Sequence, residues 1–363
     1  MQLRVEKMFE LPPSPGNPRN SEGDFARLPD GGILFAFSRF YGESWNDHAE
    51  SRICAVYSRD GKHFETERVH TLLPPDRLGA DNVMCVTLRP NAEGGVRLYC
   101  LAKFGTKNGG PVRSAYYRID SPDGRDFSAP AHLCFPKAET GYYVVNNCRV
   151  ETLRSGRILI PAASHSYARE GGRLVDTDYA EAKFFFSDDG GKTFCEQVQT
   201  LVFPDLPNEN GLQEPGVVEL PDGRLYGYFR TDAGYQYESV SADGGRSWSP
   251  PRRSGFESAI SPMKIARNPY SGLYYAIRNP YRERADDPME DCTWGRTPLV
   301  IAQSVDGEHF DDFDYIETDM RFGYCYPAVF FLSETEALVS YCSSGRGLVP
   351  LQKTTVVHLM LPR

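Results

Sequence analysis

One short pattern occurs five times along the chain and constrains its fold more than any other feature. The copies are Ser58–Phe64 (SRDGKHF), Ser121–Phe127 (SPDGRDF), Ser187–Phe194 (SDDGGKTF), Ser241–Trp248 (SADGGRSW) and Ser304–Phe310 (SVDGEHF). Each runs Ser, any residue, Asp, Gly, then an aromatic. The aspartates Asp60, Asp123, Asp189, Asp243 and Asp306 stand roughly 50–65 residues apart, a period that marks an array of supersecondary units. Asp-Gly beside Ser is turn chemistry: the short side chains accept hydrogen bonds from backbone N–H groups, and Gly takes a positive φ. The aromatic ring folds beneath the turn and is buried. Each copy therefore predicts a hairpin turn repeated once per sheet, with a structural task and not a catalytic one.

Between the copies the same parts recur: a first strand, a Gly-containing turn, a second apolar strand, a polar loop, and a third strand that ends in the Asp motif and leads to a fourth. The first three strands are predicted at Asp24–Leu28, Ile33–Phe40 and Arg52–Tyr57 in repeat one and at Val83–Leu88, Val96–Lys103 and Ala115–Ile119 in repeat two. Repeat three has Arg149–Leu153, Arg157–Ala163 and Ala182–Phe186, and repeat four has Gly216–Leu220, Arg224–Arg230 and Tyr237–Val240. Repeat five has Met263–Arg267, Leu273–Arg278 and Pro298–Ala302. These runs are short, rich in β-branched and aromatic residues, and bounded by turn residues. A sixth repeat, Tyr326–Leu332, Ala337–Tyr341 and Thr354–Leu361, runs out of chain before its fourth strand, while Leu3–Glu10 has no partner in repeat one. The expected fold is all-β: a six-bladed β-propeller of four-stranded antiparallel blades, closed by the N-terminal strand, as one domain over residues 1–363.

Charge and cysteine usage narrow the function classes. A formal net charge of −9 argues against a nucleic-acid partner and leaves no basic patch for a membrane. No apolar run reaches the ~18 residues of a membrane span. The opening MQLRVEKMFELPPSPG has no apolar h-region, which predicts a cytoplasmic protein, or a secreted or periplasmic one if a leader has been removed. Nine scattered cysteines without a C-x-x-C, several inside apolar runs (Cys54, Cys85, Cys100), read as buried free thiols. The seven histidines show no metal-ligand spacing, so no metal or other cofactor is expected. The oligomeric state leaves no mark in the sequence.

In a propeller the first strands line the axis, and their starts meet the ends of the second strands at one mouth. The starts are polar: Glu22, Asp81 with Asn82, Asn146, Asn147 and Arg149, Gln213 with Glu214, Ser261 with Lys264, and Tyr324 with Tyr326. The second strands end at Arg39, Lys103, His165, Arg230 and Arg278. Carboxylates, arginines, tyrosines and amides gathered at one mouth suit a polar, anionic or polyhydroxylated small molecule or glycan.

The chain resembles the sialidase (neuraminidase) superfamily. The five Asp motifs are similar to its Asp boxes, three of them one residue short. The segment QEPGVVELPDGRLYGYFR is similar to the family stretch that carries a catalytic Glu and a substrate-binding Arg, which places those roles on Glu214 and Arg230. GRTPLVIAQSVDG resembles the stretch with the third arginine of a carboxylate-binding triad, here Arg296, and YPAVFFLSETEALVSY the strand opening with a nucleophilic tyrosine, here Tyr326. The loop before Arg52 resembles the one that holds the general acid, which the resemblance assigns to Asp47. Two departures stand out. The first arginine of the triad falls on Ser21, followed by Glu22 and Gly23, and the family's Tyr-Glu pair after the last strand is Tyr341-Cys342.

A phenol with a pKa of ~10 is a poor nucleophile at neutral pH, and a Glu within hydrogen-bond reach takes its proton as attack begins. Sialidases, with a tyrosine as nucleophile, are an exception to the two-carboxylate rule of glycosidases. Paired hydrogen bonds from arginines hold a substrate carboxylate, with Arg149 or Arg39 as substitutes for the missing one. Asn147, Asp81, Glu22 and His165 complete the expected binding residues. The first expectation is an exo-acting, retaining hydrolase of a terminal acidic sugar. Glu22, which would repel a sialate carboxylate, keeps two alternatives open: a uronic-acid or neutral-sugar hydrolase or lyase with His165 as acid or base, and a non-catalytic glycan-binding propeller.

Overall fold

The computed structural model describes residues 3–362 apart from 109–110, 136–141, 171–172, 206–207, 282–289 and 311. Six antiparallel sheets follow one another around an axis, and within each the chain moves outward strand by strand. Blade I consists of Asn20–Arg27, Ile33–Phe40, Ser51–Ser58 and His70–Leu73. Blade II is Asn82–Pro90, Val96–Phe104, Arg113–Ser121 and His132–Phe135; blade IV is Gln213–Glu219, Leu225–Arg230, Tyr235–Ser241 and Arg252–Glu257. Blade V is Lys264–Arg267, Tyr274–Arg278, Leu299–Ser304 and Phe313–Glu317. Blade VI takes Tyr324–Phe331, Glu336–Gly345 and Leu348–Met360 from the end of the chain and Arg4–Leu11 from its beginning, in antiparallel register from Arg4 opposite Met360 to Leu11 opposite Thr354. The fold is thus the expected six-bladed propeller, closed by its N-terminal strand. Among the described residues no helix is long and apolar enough to cross a membrane, and no cysteine is in a disulfide.

Blade III departs from the expected lengths. Its inner strand is split into Tyr142–Val144 and Glu151–Thr152, so most of the predicted Arg149–Leu153 is not strand. Its second and third strands, Ile158–Glu170 and Arg173–Ser187, reach far beyond the predicted seven- and five-residue runs and form a long hairpin over the mouth. The stretch Ser164–Tyr179 is polar, so periodicity offered no apolar face to mark it as strand.

Each face of a blade is apolar, and each interface between neighbouring blades holds its own core. Blades I and II share Leu34, Ala55, Val83 and Leu98; blades III and IV share Leu159, Phe184, Val217 and Phe229. Blade VI packs on blade I through Leu338, Val356, Phe25 and Phe35. The Asp motifs stitch these layers. In each, the Ser hydroxyl accepts from a Gly N–H and the Asp carboxylate accepts from two backbone N–H groups, as Asp243 does from Arg246 and Ser247 at 2.9 Å. The aromatic then reaches the preceding blade. Trp248 of blade IV stacks on Phe184 of blade III with centroids 4.3 Å apart, Phe310 of blade V meets Phe256 of blade IV, and Phe64 of blade I meets Phe9 of blade VI. The motifs lie where third strands end, at the opposite end of the axis from the mouth.

Four of the inner strands begin with the same irregularity. Register jumps by one extra residue between Ser21 and Asp24, Met84 and Thr87, Gln213 and Gly216, and Cys325 and Ala328. These are β-bulges, and in each a non-glycine residue has left-handed backbone: Glu22 (φ 55°), Cys85 (59°), Glu214 (46°) and Tyr326 (52°). Cys148 (51°) takes the same conformation in the gap of blade III. Left-handed backbone costs an L-residue roughly 1–2 kcal/mol. Deeper in the axis an ion-pair chain ties four blades together: Arg89 reaches Asp24 (3.1 Å) and Glu151 (3.5 Å), and Lys264 reaches Glu151 (2.7 Å).

Two stability predictions follow from this packing. Deleting residues 1–11 exposes the edge of Leu348–Met360 and is expected to lower the melting temperature by about 10 °C in calorimetry; a deletion variant as stable as the full chain would contradict closure. Trp248→Ala removes the stitch between blades III and IV and is expected to cost about 3–5 kcal/mol in urea unfolding; a loss below 1 kcal/mol would mean that the stacked ring carries no load.

Candidate active site

The bulges determine what faces the axis. An ordinary strand would alternate its side chains between the two neighbouring blades. A left-handed residue at the strand head turns its side chain toward the axis, and Glu22, Cys85, Glu214 and Tyr326 all line one central cavity of about 250 Å³. The loop Asn46–His48 of blade I, Lys103 of blade II, and Tyr142, Asn146, His165, Thr177 and Asp178 of blade III enclose it, with Gln213 and Arg230 of blade IV.

At its centre the Tyr326 hydroxyl donates to Glu214 Oε1 at 2.5 Å. The other Glu214 oxygen lies 3.0 Å from Arg230 Nη1, and Asn146 Nδ2 donates to Oε1 at 3.3 Å. Arg230 also donates to Gln213. Burial and the Glu214 carboxylate push the Tyr326 phenol well above its ordinary value, against the pull of Arg296 and Arg230. Arg296 stands behind the tyrosine, its guanidinium 5.9 Å from the Tyr326 ring centroid and 5.2 Å from that of Trp294. Its Nε donates to the Ile260 carbonyl at 3.0 Å, and Nη1 is buried without a hydrogen-bond partner.

The opposite wall carries a second charged group, and its centre is a residue that the sequence reading passed over. Arg19, fully buried, donates through Nη1 to Asp47 Oδ1 at 2.5 Å and to the Trp45 carbonyl at 3.1 Å, and through Nε to Ser21 Oγ at 2.7 Å. Its Nη2 lies 3.3 Å from Glu22 Oε2. The corner that lacked an arginine when counted to Ser21 is therefore filled from two residues upstream. The guanidinium lies over Phe40 and is turned toward carboxylates of the protein itself. Lys103, also buried, donates to the Asp47 carbonyl at 2.9 Å. Desolvation at the cavity wall pushes the Asp47 carboxyl up, but Arg19 and Lys103 outweigh it and hold it well below the carboxylate range. For Glu22 the balance is reversed. Burial pushes it up more than Arg19 and Lys103 pull it down, and Asp47 and Glu214 add to the rise, to about 7.

Of the residues expected at the mouth, Glu22, Asp47, His165, Glu214, Arg230 and Tyr326 come together around the cavity, and Arg296 backs it. His165 Nδ1 lies 2.9 Å from the Thr177 carbonyl, and its ring lies against Tyr142. Four others serve elsewhere. Arg39 follows Ser38, whose hydroxyl faces blade II and accepts from Cys85 N–H, so alternation sends Arg39 to the opposite face, over Tyr41. Asp81 accepts from Gly105 and Thr106 N–H groups and ties the end of the second strand of its own blade. Asn147 donates across the axis to the Gly23 and Tyr326 carbonyls, and Arg149 donates to the Tyr228 hydroxyl at 3.1 Å; neither lines the cavity. No group of described residues has the make-up of a metal site.

Removing Arg19 leaves Glu22 and Asp47 facing each other with Lys103 as the counter-charge that remains. Arg19→Ala is expected to cost about 3 kcal/mol at pH 8, on the scale of a broken buried pair. In the variant both carboxyl pKa values rise above their unfolded values. The native state then binds more protons, and the loss shrinks as pH falls toward 5. Urea midpoints at the two pH values check this; an equal loss at both would contradict the electrostatic account.

Comparison with known proteins agrees with this architecture. The profile of the BNR repeat-like domain matches residues 79–339. An anhydrosialidase of Macrobdella decora is 35% identical over 95 residues, which covers 26% of this chain; the match spans about a tenth of that relative's length (10%). Among solved structures, a protein of unknown function from Dyadobacter fermentans superposes with a TM-score of 0.70 at 18% identity, covering 99% of both chains. A NanB sialidase of Streptococcus pneumoniae superposes at 0.66 and 13% identity, covering 98% of this chain and 70% of its own. The leech intramolecular trans-sialidase in complex with 2,7-anhydro-Neu5Ac also superposes at 0.66, with 14% identity and the same coverage of both chains. The profile match, the five Asp motifs and the six closed blades together show that this chain belongs to the BNR repeat-like domain family, with a fold that it shares with solved sialidase structures.

Proposed function

We propose that the protein is a retaining exo-glycoside hydrolase of the sialidase type that removes a terminal acidic sugar. The observation that carries this reading is the 2.5 Å hydrogen bond from the Tyr326 hydroxyl to Glu214, whose other oxygen is held by Arg230 at 3.0 Å. A phenol raised above its ordinary value is inert unless a base takes its proton during attack, and a base in hydrogen-bond contact meets that need. A cavity of about 250 Å³, below the ~300 Å³ at which drug-sized ligand pockets begin, suits one sugar ring at a chain end better than an internal segment.

In the first step the Tyr326 oxygen attacks the anomeric carbon, its proton passes to Glu214, and the bond to the aglycone oxygen breaks as that oxygen takes a proton from Asp47. In the second, Asp47 removes a proton from water, the water oxygen displaces Tyr326 from the anomeric carbon, and Glu214 returns the proton to the phenol. Two inversions give net retention. Arg296, with a buried nitrogen that lacks a hydrogen-bond partner, and Arg230 hold the acidic group. Asp47 stands ionised beside Arg19 in the free cavity, so its acid role requires a proton to be loaded there first.

The test is a panel of aryl and alkyl sialosides and uronides, with the product anomer followed by NMR. Tyr326→Phe and Glu214→Gln are each expected to lose on the order of 10²–10⁴-fold in turnover. Asp47→Ala should fail on alkyl glycosides while retaining most activity on nitrophenyl glycosides, whose leaving groups need no proton. Full activity in Tyr326→Phe, or inversion at the anomeric carbon, overturns the mechanism. Elimination products instead of hydrolysis would favour the lyase alternative.

A further inference from the structure

Arg296 is the cation left for an incoming anion: it stands behind Tyr326 with one buried nitrogen that has no hydrogen-bond partner, while the other cations at the cavity are engaged. Arg19 is committed to Asp47 and Glu22, Lys103 to the Asp47 carbonyl, and Arg230 to Glu214 and Gln213. Counted formally, Lys103 and Arg230 of the lining with Arg19 and Arg296 behind it balance Glu22, Asp47, Glu214 and the more exposed Asp178. A sugar carboxylate added to this set leaves one uncompensated negative charge in a desolvated space, which is costly unless a group takes up a proton.

Of the three carboxylates on the two charged walls, Glu22 is held less firmly than Glu214 and Asp47. Glu214 accepts from Tyr326 and Asn146, and Asp47 accepts from Arg19, but Glu22 Oε2 is buried with no hydrogen bond, 3.3 Å from the nearest guanidinium nitrogen. The charged and titratable groups that face it are Arg19 before its own strand, Asp47 on the rim loop, Lys103 and Cys85 of blade II, Glu214 of blade IV, and Tyr326 and Cys342 of blade VI. The Cys342 sulfur accepts the Glu22 backbone N–H at 3.3 Å, which fixes the bulge and keeps the side chain in the cavity.

We propose that Glu22 determines the charge of the accepted sugar: an acidic sugar enters together with one proton on Glu22, whereas ionised Glu22 leaves the cavity suited to neutral polyhydroxylated ligands, whose hydroxyls donate to it. This rests on reading the central cavity as a glycan pocket. It makes Glu22 a specificity residue. The burial that places its titration near neutrality supplies the proton at mildly acidic pH.

The experiment is isothermal calorimetry of the full chain with N-acetylneuraminic acid, methyl β-glucuronide and methyl β-glucoside, in buffers of different ionisation enthalpy at pH 6 and pH 8. With Glu22 titrating at about 7, binding of an acidic sugar should weaken about tenfold from pH 6 to pH 8 and take up close to one proton at pH 8. The neutral glucoside should take up none. His48 and His165 line the same cavity and would produce a pH dependence of the same sign. Glu22→Gln separates the cases: its affinity for the acids should be equal at both pH values and match the native value at pH 6, whereas a dependence carried by histidine would survive the substitution.

If that variant does not fold, carboxyl carbon-13 NMR of the glutamate-labelled native chain decides. One glutamate should titrate near neutrality in the free protein and stay protonated to higher pH when the acidic sugar is bound. Acid binding without proton uptake, unchanged pH dependence in Glu22→Gln, or glutamates that all titrate in the ordinary range overturns the proposal and leaves the glycan reading intact. Absence of binding by all three sugars overturns the glycan reading and this proposal together.

Discussion

The site depends on backbone held in a conformation that L-residues avoid. One extra residue at the head of the inner strand in four blades forces a left-handed turn at Glu22, Cys85, Glu214 and Tyr326. Without it these side chains would lie between blades and the axis would be lined by backbone. At roughly 1–2 kcal/mol for each such residue, the arrangement persists because the rest of the propeller over-determines it. The interblade cores fix the strands on either side. The chain from Asp24 through Arg89 and Glu151 to Lys264 secures the deeper axis, and cross-axis bonds such as Asn147 to the Gly23 carbonyl hold the strand heads in place. The strain is concentrated where the chemistry is proposed, and packing elsewhere sustains it.

The fold was legible because its signals are local and repeated. Asp-Gly turns, short apolar runs and a strandless end paired with a partnerless beginning left few arrangements other than a closed ring. Glu214 and Tyr326 were legible too, and a signal behind them went unused: Glu22, Glu214 and Tyr326 each stand six residues before the leucine that opens the inner turn, Leu28, Leu220 and Leu332. Counting back from Leu28 puts Ser21 where the family has an arginine and gives no sign that Arg19, two residues upstream, reaches Ser21 and Glu22 with its side chain. Arg39 and Asp81 were misplaced because composition at a strand end does not say which face a side chain takes. Blade III was misjudged in length because the sequence Ser164–Tyr179 is predominantly polar, and alternation carries no signal there.

The charges also divide into two pairings of different character. Tyr326, Glu214 and Arg230 form a tight group on one wall, while Arg19, Asp47 and Glu22 share one guanidinium between two carboxylates on the other. The shared guanidinium favours Asp47, which it meets at 2.5 Å, and leaves Glu22 with the weaker contact. With Glu22 buried and Asp47 half exposed, two carboxyl groups within reach of one cation acquire opposite ionisation tendencies, the arrangement by which one site holds a fixed charge and a titrating one.

Closure by the first strand also has a consequence in time. Glu22 leaves the ribosome about three hundred residues before Tyr326, which at ~5–20 residues per second is a gap on the order of 15–60 s. During that interval the face of blade I that carries Phe25 and Phe35 has no blade VI to cover it. The nascent chain is therefore an open crescent with a sticky apolar flank and no assembled pocket. The flank is covered, and the central cavity complete, only once the crescent becomes a ring.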